Sequence, residues 1–402
     1  VIDGGGGFAS PGLWDMHIHA LSDPDAATGR VLPLLISHGV TGIRDMGSLV
    51  PGITATRARL ADDPALPRPR LYVSGPLLDG QALPWYGELP LVLKTPAEVG
   101  PAVDRLKSDG MDFLKIYSGL APEVMTAIAS EARRAGLPTA GHITLEGGMA
   151  AAAASGQTTF EHLSIATFLE CLPGDPGFFD RWVASRFDQG YDAYWDLILD
   201  FDRRADWAAC DARFRDLAAA GVVFTPTLVM EFLDREGTDL PALGWLEPRS
   251  RGWCETNLGQ VDAADPARRA AVYAFYRRAF DRMRAAGIRV TTGSDSPNFC
   301  LAPGSSLLLE LERLVELGLT PAEAIAASTS EAARVMGRAG DLGRIAPGYG
   351  ADIVVTPADP LQDIRAFRDL SLVIAAGKVH GRPAMARMRQ AAVQSAAATP
   401  PT

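Results

Sequence analysis

Residues 11–19 of this 402-residue chain read Pro-Gly-Leu-Trp-Asp-Met-His-Ile-His. This apolar run predicts a short strand that ends in two histidines, His17 and His19. Side chains two residues apart on a strand point to the same face, so both imidazoles can reach one site. Paired neutral imidazoles suit a borderline-soft divalent metal such as zinc. A His-x-His pair is also compatible with two solvated polar side chains, so the positions of the other histidines matter.

Outward from this strand, the chain alternates short apolar segments with segments of helical periodicity. Helix-start and helix-end signals punctuate the alternation, as at Thr95-Pro96 and at Gly136. Eight strands separated by helices predict an α/β fold, a (β/α)8 TIM barrel. The predicted strands are 11–19, 40–46, 70–75, 112–117, 138–142, 158–162, 222–227 and 289–295.

Beyond the last barrel helices, the chain becomes strand-rich at 342–355 and 372–379. These strands predict a small β-sandwich module formed largely by the C-terminal part of the chain. The Ala/Ser/Thr/Pro-rich end predicts disorder. The predicted regions are a barrel over 11–337 with insertions at about 166–206 and 230–286, a β-sandwich module over 1–10 plus 338–385, and a disordered tail over 386–402.

Composition excludes several classes of function. Hydrophobic residues are 47% of the chain, enough for a large core, and the net charge is −10. An acidic chain without a basic stripe is not expected to bind nucleic acid, and it offers no polybasic patch for a membrane surface. No apolar run is long enough to span a bilayer.

Four scattered cysteines form no Cys-x-x-Cys pair. They predict neither a disulfide framework nor a zinc ribbon, and each is expected to be a small buried hydrophobic residue. The chain begins abruptly at Val1, as a trimmed product would, so a removed export signal is compatible with the sequence. A cytoplasmic and an exported location both remain open. The cysteines are Cys171, Cys210, Cys254 and Cys300.

Side chains that could bind a metal or transfer a proton lie at or near the ends of the predicted barrel strands. The C-terminal ends of the strands are where the active sites of TIM barrels are built. Four of the six histidines belong to this set, whereas His38 and His380 lie elsewhere and are predicted to be structural. The set consists of His17, His19, Lys115, His142, His162 and Asp295.

Five ordered motifs resemble the amidohydrolase superfamily, in particular its binuclear branch of imidazolonepropionase-like prolidases and Xaa-Pro or Xaa-Arg dipeptidases. A later segment, 343–355, resembles the β-sandwich return of that group. Family members usually carry sandwich strands before the His-x-His strand, so the N-terminal part of that module is expected to be truncated here. The motifs are residues 11–19, Asp-Phe-Leu-Lys-Ile-Tyr at 112–117, Ala-Gly-His at 140–142, Phe-Glu-His at 160–162 and Thr-Gly-Ser-Asp at 292–295.

The resemblance implies two divalent metal ions, with zinc favoured. His17 and His19 would bind the more buried ion and His142 and His162 the other. Lys115, carboxylated by CO2, would bridge both ions. A lysine in an apolar strand favours the neutral amine that adds CO2, which is compatible with this role.

Asp295 would ligate the first ion and act as the general base for a metal-bridging hydroxide. It would then return the proton to the leaving amine.

Three further polar residues lie in or near these motifs. Tyr117 shares a strand face with Lys115 and is a candidate to bind substrate and to donate to a developing oxyanion, or else is a buried structural tyrosine. Arg44 ends the second strand and is a candidate for a substrate carboxylate, with a structural salt bridge as the alternative. Glu161 precedes His162 and is therefore predicted to point away from the site. The aromatic residues of the first insertion predict either a lid or a packed core: Trp182, Tyr191, Tyr194 and Trp195.

Together these features predict a metal-dependent amidohydrolase. The predicted reaction is cleavage of amide bonds in a small molecule or dipeptide, by a dipeptidase or carboxypeptidase-like enzyme acting on N-acyl amino acids or Xaa-Pro-type substrates. A lactonase, phosphotriesterase or cyclic-amide hydrolase on the same binuclear scaffold is the main alternative. A mononuclear deaminase would not need Lys115, and a metal-free binding barrel would not need the ligand set. A homo-oligomer is compatible with the sequence.

Overall fold

The computed structural model of the chain describes residues 2–82, 87–172, 174–175, 177–188, 190–232, 238–298 and 300–398. Fourteen strands within these residues form three sheets. The strands are β1 (Phe8–Pro11), β2 (Leu13–Ile18), β3 (Val40–Asp45), β4 (Arg70–Val73), β5 (Leu77–Asp79), β6 (Pro90–Val92), β7 (Leu114–Ile116), β8 (Thr139–Gly141), β9 (Thr159–Glu161), β10 (Val223–Thr225), β11 (Arg289–Val290), β12 (Ile353–Thr356), β13 (Leu372–Ala375) and β14 (Lys378–Gly381).

The three-stranded and the seven-stranded sheets close on each other as a parallel barrel. One contains β2-β3-β4 and the other runs β11-β10-β9-β8-β7-β5-β6. Backbone hydrogen bonds join them at both seams: Asp112 N–H donates to Val73 C=O at 2.8 Å, and Met16 N–H donates to Thr292 C=O at 2.8 Å. The strand β4 pairs with β3, and β5 pairs with β7. The two short strands β4 and β5 therefore together occupy the position of the third barrel strand. The predicted TIM-barrel-like α/β fold is confirmed.

Helices connect the strands and bury one face against the barrel. In the helix over Pro122–Ala135, the buried Val124, Ile128 and Ala132 recur every four residues, which is the spacing of a single helix face. The helices are α1 (Pro24–Ala26), α2 (Leu32–Ser37), α3 (Val50–Asp62), α4 (Pro96–Ser108), α5 (Pro122–Ala135), α6 (Gly148–Ala154), α7 (Ile165–Phe168), α8 (Phe178–Asp188), α9 (Gly190–Arg204), α10 (Trp207–Ala219), α11 (Pro248–Ala263), α12 (Pro266–Ala285), α13 (Ser305–Glu316), α14 (Pro321–Ala327), α15 (Ser330–Val335) and α16 (Arg382–Ala398). None of the described helices is long and apolar enough to cross a membrane.

A small sheet combines the first strand with the last three. It is antiparallel throughout, in the order β1-β12-β13-β14. Within the described residues it is a single sheet, without a second one packed against it, so the predicted β-sandwich is not confirmed.

The predicted disordered tail is wrong for residues 386–398, because they belong to α16. This helix packs on α2, and Arg389 donates to the backbone oxygen of Ser37 at 2.9 Å. Met385, Ala392 and Ala396 are buried along it. Alanine is the strongest helix former, so an alanine-rich segment becomes ordered once one face has a surface to cover. Residues 399–402 lie outside the described part of the chain.

The prediction of four separate cysteines is also wrong, because the structure pairs them in two disulfides. Cys171 bonds Cys210, 39 residues later, and Cys254 bonds Cys300, 46 residues later. The first bond joins the segment after α7 to α10, and the second joins α11 to the loop after β11. Such distant pairs depend on tertiary contacts and carry no local motif.

Candidate metal centre and substrate cavity

Six predicted side chains meet at one end of the barrel, where they line a cavity of about 1070 Å³. His19 Nε2 lies 3.1 Å from Asp295 Oδ1, and His17 Nε2 lies 3.5 Å from the same oxygen. The ring of His162 lies between those of His17 and His142, at centroid distances of 4.6 and 4.9 Å. We call these residues the ligand ring: His17, His19, Lys115, His142, His162 and Asp295.

Unusual backbone conformations place two members of the ring. His162 and Asp295 have φ angles of +68° and +55°, in the left-handed region. This conformation costs a non-glycine residue about 1–2 kcal/mol, so the surrounding hydrogen bonds must hold it in place. His142 follows Gly141, where any Cβ would overlap the backbone oxygen of Ile116. The strand ends are therefore shaped to direct side chains into the cavity.

Each histidine of the ring is held through its Nδ1 atom. With Nδ1 engaged, Nε2 is the nitrogen left to bind a metal, which is the usual arrangement of metal-ligating histidines. His17 Nδ1–H donates to a carboxylate and His19 Nδ1–H to a backbone carbonyl, which sets their tautomers. The partners are Glu161 Oε2 for His17 at 2.9 Å, Gly47 C=O for His19 at 3.0 Å, Ser118 Oγ for His142 at 3.0 Å and Thr227 Oγ1 for His162 at 2.7 Å.

Glu161 is a site residue that the sequence prediction missed. It is buried, and besides His17 it accepts hydrogen bonds from Arg44 at 2.7 Å and from Thr159 Oγ1 at 2.6 Å. Strand alternation places it opposite His162, but the left-handed backbone of His162 breaks that alternation. Both neighbours therefore serve the same site. A carboxylate in an apolar strand requires a buried partner, and this requirement is the feature of the sequence that could have identified Glu161 as a site residue.

Arg44 does not line the cavity, and the structure contradicts its predicted role in substrate binding. Its side chain is 2% exposed and lies inside the barrel beneath the ligand ring. Its donors are already used, since it donates to Met16 C=O at 2.7 Å and to Thr159 Oγ1 at 2.8 Å as well as to Glu161. Burial lowers the pKa of Arg44, and Glu161 opposes that shift. Arg44 is the structural salt bridge that the sequence left as the alternative.

The electrostatics of the ring fit a divalent cation. Burial lowers the pKa of His17 and His142 well below the ordinary value, so both imidazoles are neutral. Burial also lowers the pKa of Lys115 to about 8, although Glu161 and Asp295 oppose this change. Ligand atoms of His17, His162 and Asp295 lie within 4.8 Å of one another. Neutral nitrogen donors beside a carboxylate form a donor set suited to zinc and similar ions.

The Asp295 carboxylate remains ionised despite its location. Burial alone would raise its pKa, but the hydrogen bond with His19 and the nearby His162 and Lys115 lower the pKa overall. Asn298 Nδ2 also donates to Asp295 Oδ1 at 2.9 Å. An ionised, oriented carboxylate at the cavity surface can accept a proton.

Tyr117 lines the cavity, and its ring lies 4.2 Å from that of His142, centroid to centroid. Its contribution to binding or to oxyanion stabilisation stays a prediction. Beneath the ring, the buried Asp15 was not singled out from the sequence. It accepts from Ser294 Oγ at 2.5 Å and from Ser294 N–H at 2.9 Å, and so fixes β2 to the segment that carries Asp295. Burial raises the pKa of Asp15 to about 7.

Helices outside the barrel build the remaining wall of the cavity. Of the aromatic residues in the first insertion, Trp182 lines the cavity, whereas Tyr194 and Trp195 are buried in the core. The rings of Phe179 and Trp182 lie 5.7 Å apart, centroid to centroid. The helices α8 and α11 contribute seven residues to this wall, among them Asp180, Ala184 and Ser250. We call the other four the cap wall: Phe179, Trp182, Arg249 and Trp253.

Comparisons with known proteins agree with this architecture. The amidohydrolase family model matches residues 8–380. Ochratoxinase of Aspergillus niger is 23% identical over 418 aligned residues, covering 89% of this chain and 72% of that protein. Imidazolonepropionase of Rubrobacter xylanophilus is 44% identical over 61 residues, or 14% of this chain and 15% of that protein.

Solved structures share the fold. Bottromycin amidohydrolase superposes with a TM-score of 0.75 at 24% identity, covering 97% of this chain and 80% of that chain. A Xaa-Pro dipeptidase with methionine bound in its active site gives a TM-score of 0.62 at 21% identity, covering 93% and 86%. The family match spans nearly the whole chain and includes every member of the ligand ring. The chain therefore belongs to the amidohydrolase family, whose enzymes are hydrolases that generally use divalent metal ions.

Proposed function

We propose that this protein is a binuclear metal-dependent hydrolase of amide bonds in small substrates, acting as a dipeptidase or carboxypeptidase-like enzyme on N-acyl amino acids or Xaa-Pro-type dipeptides. The observation that carries the proposal is the convergence of the six ligand-ring residues on one cavity of about 1070 Å³. The similarity to a dipeptidase and a bottromycin amidohydrolase supports amide chemistry.

The ligand ring divides into two sets around a shared bridging residue. His17, His19 and Asp295 would hold the more buried ion and His142 and His162 the other, with zinc favoured for both. Bound ions would supply a water of lowered pKa and polarise the scissile carbonyl.

Lys115 would bridge the two sets as a carbamate. Its lowered pKa leaves a usable fraction of neutral amine, whose nitrogen forms a bond to CO2 and loses a proton. The product is an anion with two oxygen donors, replacing a cation that would repel the ions.

The protein residues then move the proton and orient the substrate. Asp295 accepts a proton from the attacking water because it is ionised and lies at the cavity surface. It delivers that proton to the amine as the carbon–nitrogen bond breaks. Tyr117, on the same wall as His142, donates a hydrogen bond to the developing oxyanion.

The decisive experiment measures metal content per chain in protein purified without chelator, with and without added bicarbonate. We expect two ions per chain and hydrolysis within a panel of Xaa-Pro dipeptides and N-acyl amino acids. Lys115→Ala should lose bound metal and activity, whereas the exposed Lys94→Ala should lose neither. A folded protein that binds no metal under either condition would contradict the proposal, and one ion independent of Lys115 would favour a mononuclear enzyme.

Cyclic-amide hydrolysis is the second candidate, because the short local matches to imidazolonepropionases have 38–44% identity. Cyclic imides belong in the same substrate panel. Turnover of these alone would replace the dipeptidase proposal.

The disulfides support a location for the protein. Disulfides persist in oxidising compartments and are rare in the cytosol. We therefore propose that this chain functions in an extracytoplasmic compartment.

A further inference from the structure

We propose that Arg249 binds the free carboxylate of the substrate, so that the cavity selects N-acyl amino acids with apolar or aromatic side chains over the corresponding uncharged amides. This inference rests on the proposed hydrolase function and goes beyond it, since it names the residue that recognises the substrate carboxylate. It also replaces Arg44, whose donors are used inside the barrel.

The first argument is the distribution of charge around the cavity. Lys115 and Arg249 are the lysine and arginine side chains among the described wall residues. Lys115 is buried at 1% exposure and faces the carboxylates of Glu161 and Asp295. The exposed Arg249 has no ion pair with any described residue. A substrate carboxylate that enters the cavity therefore meets one available guanidinium.

The second argument compares Arg249 with two arginines elsewhere in the chain that are already paired. Arg30 pairs with Glu247, the residue just before α11, and Arg368 pairs with Glu312. The net charge of the chain is −10, so acidic partners are plentiful. A guanidinium at the mouth of a catalytic cavity that pairs with none of the described acids is available for an anionic ligand.

The third argument is the surface beside Arg249. Residues four apart on a helix share a face, so Arg249 and Trp253 stand together on the cavity side of α11. Trp253 is 41% exposed, which is unusual for so large an apolar ring. Phe179 and Trp182 contribute further aromatic surface from α8. A carboxylate bound at Arg249 would thus place an adjoining apolar side chain against aromatic rings.

The fourth argument is that α11 is held firmly enough to present Arg249 to the substrate in a fixed position. Its opposite face buries Cys254 and Leu258 in a small apolar cluster with Leu246. The disulfide to Cys300 then joins the helix to the loop that follows Asp295. The planar guanidinium can bind a carboxylate through two parallel hydrogen bonds, which fixes the direction in which the substrate amide extends.

The test uses two probes that differ only in the carboxylate: N-benzoyl-L-phenylalanine and N-benzoyl-L-phenylalaninamide. For the metal-loaded protein we expect a higher kcat/KM for the acid. Arg249→Gln should lower the acid-to-amide ratio of kcat/KM by about 10- to 100-fold, mainly through KM, as expected for loss of a charge-assisted pair. Arg249→Lys should restore part of the ratio. The exposed Arg215→Gln on α10, outside the cavity, is the matched control.

A ratio that stays unchanged in Arg249→Gln would overturn the inference. If neither probe is hydrolysed, the proposed activity on N-acyl amino acids fails, and binding of the same two probes is measured by calorimetry. Tighter binding of the acid, lost in Arg249→Gln, would then uphold the carboxylate site by itself. Equal binding of acid and amide to the unmodified protein would reject it.

Discussion

The ligand ring and the cap wall face each other across one cavity, yet they are built in different ways. Ring residues lie in or just after short barrel strands, and hydrogen bonds with buried partners such as Glu161 and Thr227 fix each imidazole. The cap wall stands on two helices outside the barrel, and a disulfide at Cys254 ties one of them to the loop after β11. The ring is held by many short contacts, whereas the cap is held by packing and a covalent bond.

This difference separates two tasks. Chemistry requires ligand atoms placed within a few tenths of an ångström, which rigid strand ends and buried hydrogen bonds provide. Selection of a substrate requires shape and charge at a greater distance, which a helix surface can supply. Substitutions in the ring should therefore alter metal binding and kcat, and substitutions in the cap should alter KM and the choice of substrate.

The largest effect is expected for Asp295→Asn, within the ring. An amide cannot accept the proton from the attacking water, so kcat should fall by about 10²- to 10⁴-fold. Steady-state kinetics on the best substrate of the panel measures this loss, with the exposed Asp62→Asn as the control. A loss confined to KM would instead place Asp295 among substrate-binding groups.

Arg44→Met is expected to destabilise the fold without changing substrate choice. It leaves the buried carboxylate of Glu161 without its ion pair, and breaking a buried pair costs about 3–5 kcal/mol of unfolding free energy. Denaturant unfolding and the acid-to-amide ratio are measured on the same protein. If the variant is stable but has a lower acid-to-amide ratio of kcat/KM, Arg44 takes part in substrate binding and does not differ from Arg249 in this respect.

Removal of the Cys254–Cys300 disulfide tests how the cap is held. The double substitution Cys254→Ala with Cys300→Ala should lower the unfolding free energy by about 2–4 kcal/mol. Because the bond anchors α11, KM should rise while the metal content stays at the unmodified level. The Cys171→Ala, Cys210→Ala pair is the comparison, since it removes the bond to α10. Loss of metal from the first variant would show that cap and ring are coupled.

His38 provides a buried histidine outside the ring. Burial lowers its pKa to about 4, and Nδ1–H donates to Leu34 C=O at 2.8 Å. The unfolded chain gains a proton near pH 6.5 and the folded chain only near pH 4, so stability falls as the pH drops through this window. The loss attributable to His38 approaches about 3 kcal/mol at the acid end. The unfolding free energy, plotted against pH between pH 7 and 4, should fall less steeply for His38→Gln than for the unmodified protein. Identical slopes would refute the contribution of His38 to this pH dependence.

The smallest effect is expected for Glu161→Gln, because the amide can still accept a hydrogen bond from His17 but without the negative charge. Metal affinity should fall by about 10- to 100-fold, as is usual for partners behind a ligating histidine. Competition with a chelator measures the affinity. Unchanged affinity would mean that Glu161 serves Arg44 alone.

The barrel and its ligand ring were predictable because their signals are local. Apolar strand periodicity, glycines and prolines at helix ends, and histidines at strand ends all lie within a few residues of the feature they predict. Glu161 was misjudged because strand alternation holds only for extended backbone, and His162 leaves it with φ at +68°. That conformation is imposed by the closed barrel and not by the tripeptide.

The cap and the terminal helix were less predictable for a different reason. Arg249 belongs to a segment with no strand or motif around it, and its place on the cavity wall depends on the packing and the disulfide that hold α11. The cysteines pair over 39 and 46 residues, so their partners are set by the folded chain. The final residues resemble a disordered tail in composition, but Ala392 and Ala396 become buried in the folded protein.

A covalent bond attaches α11 to the loop that follows Asp295. Substitutions on the cavity side of this helix, at positions such as Arg249 and Trp253, leave that bond and the ligand ring in place. The wall opposite the ring can therefore change its charge and shape while the ring residues stay the same.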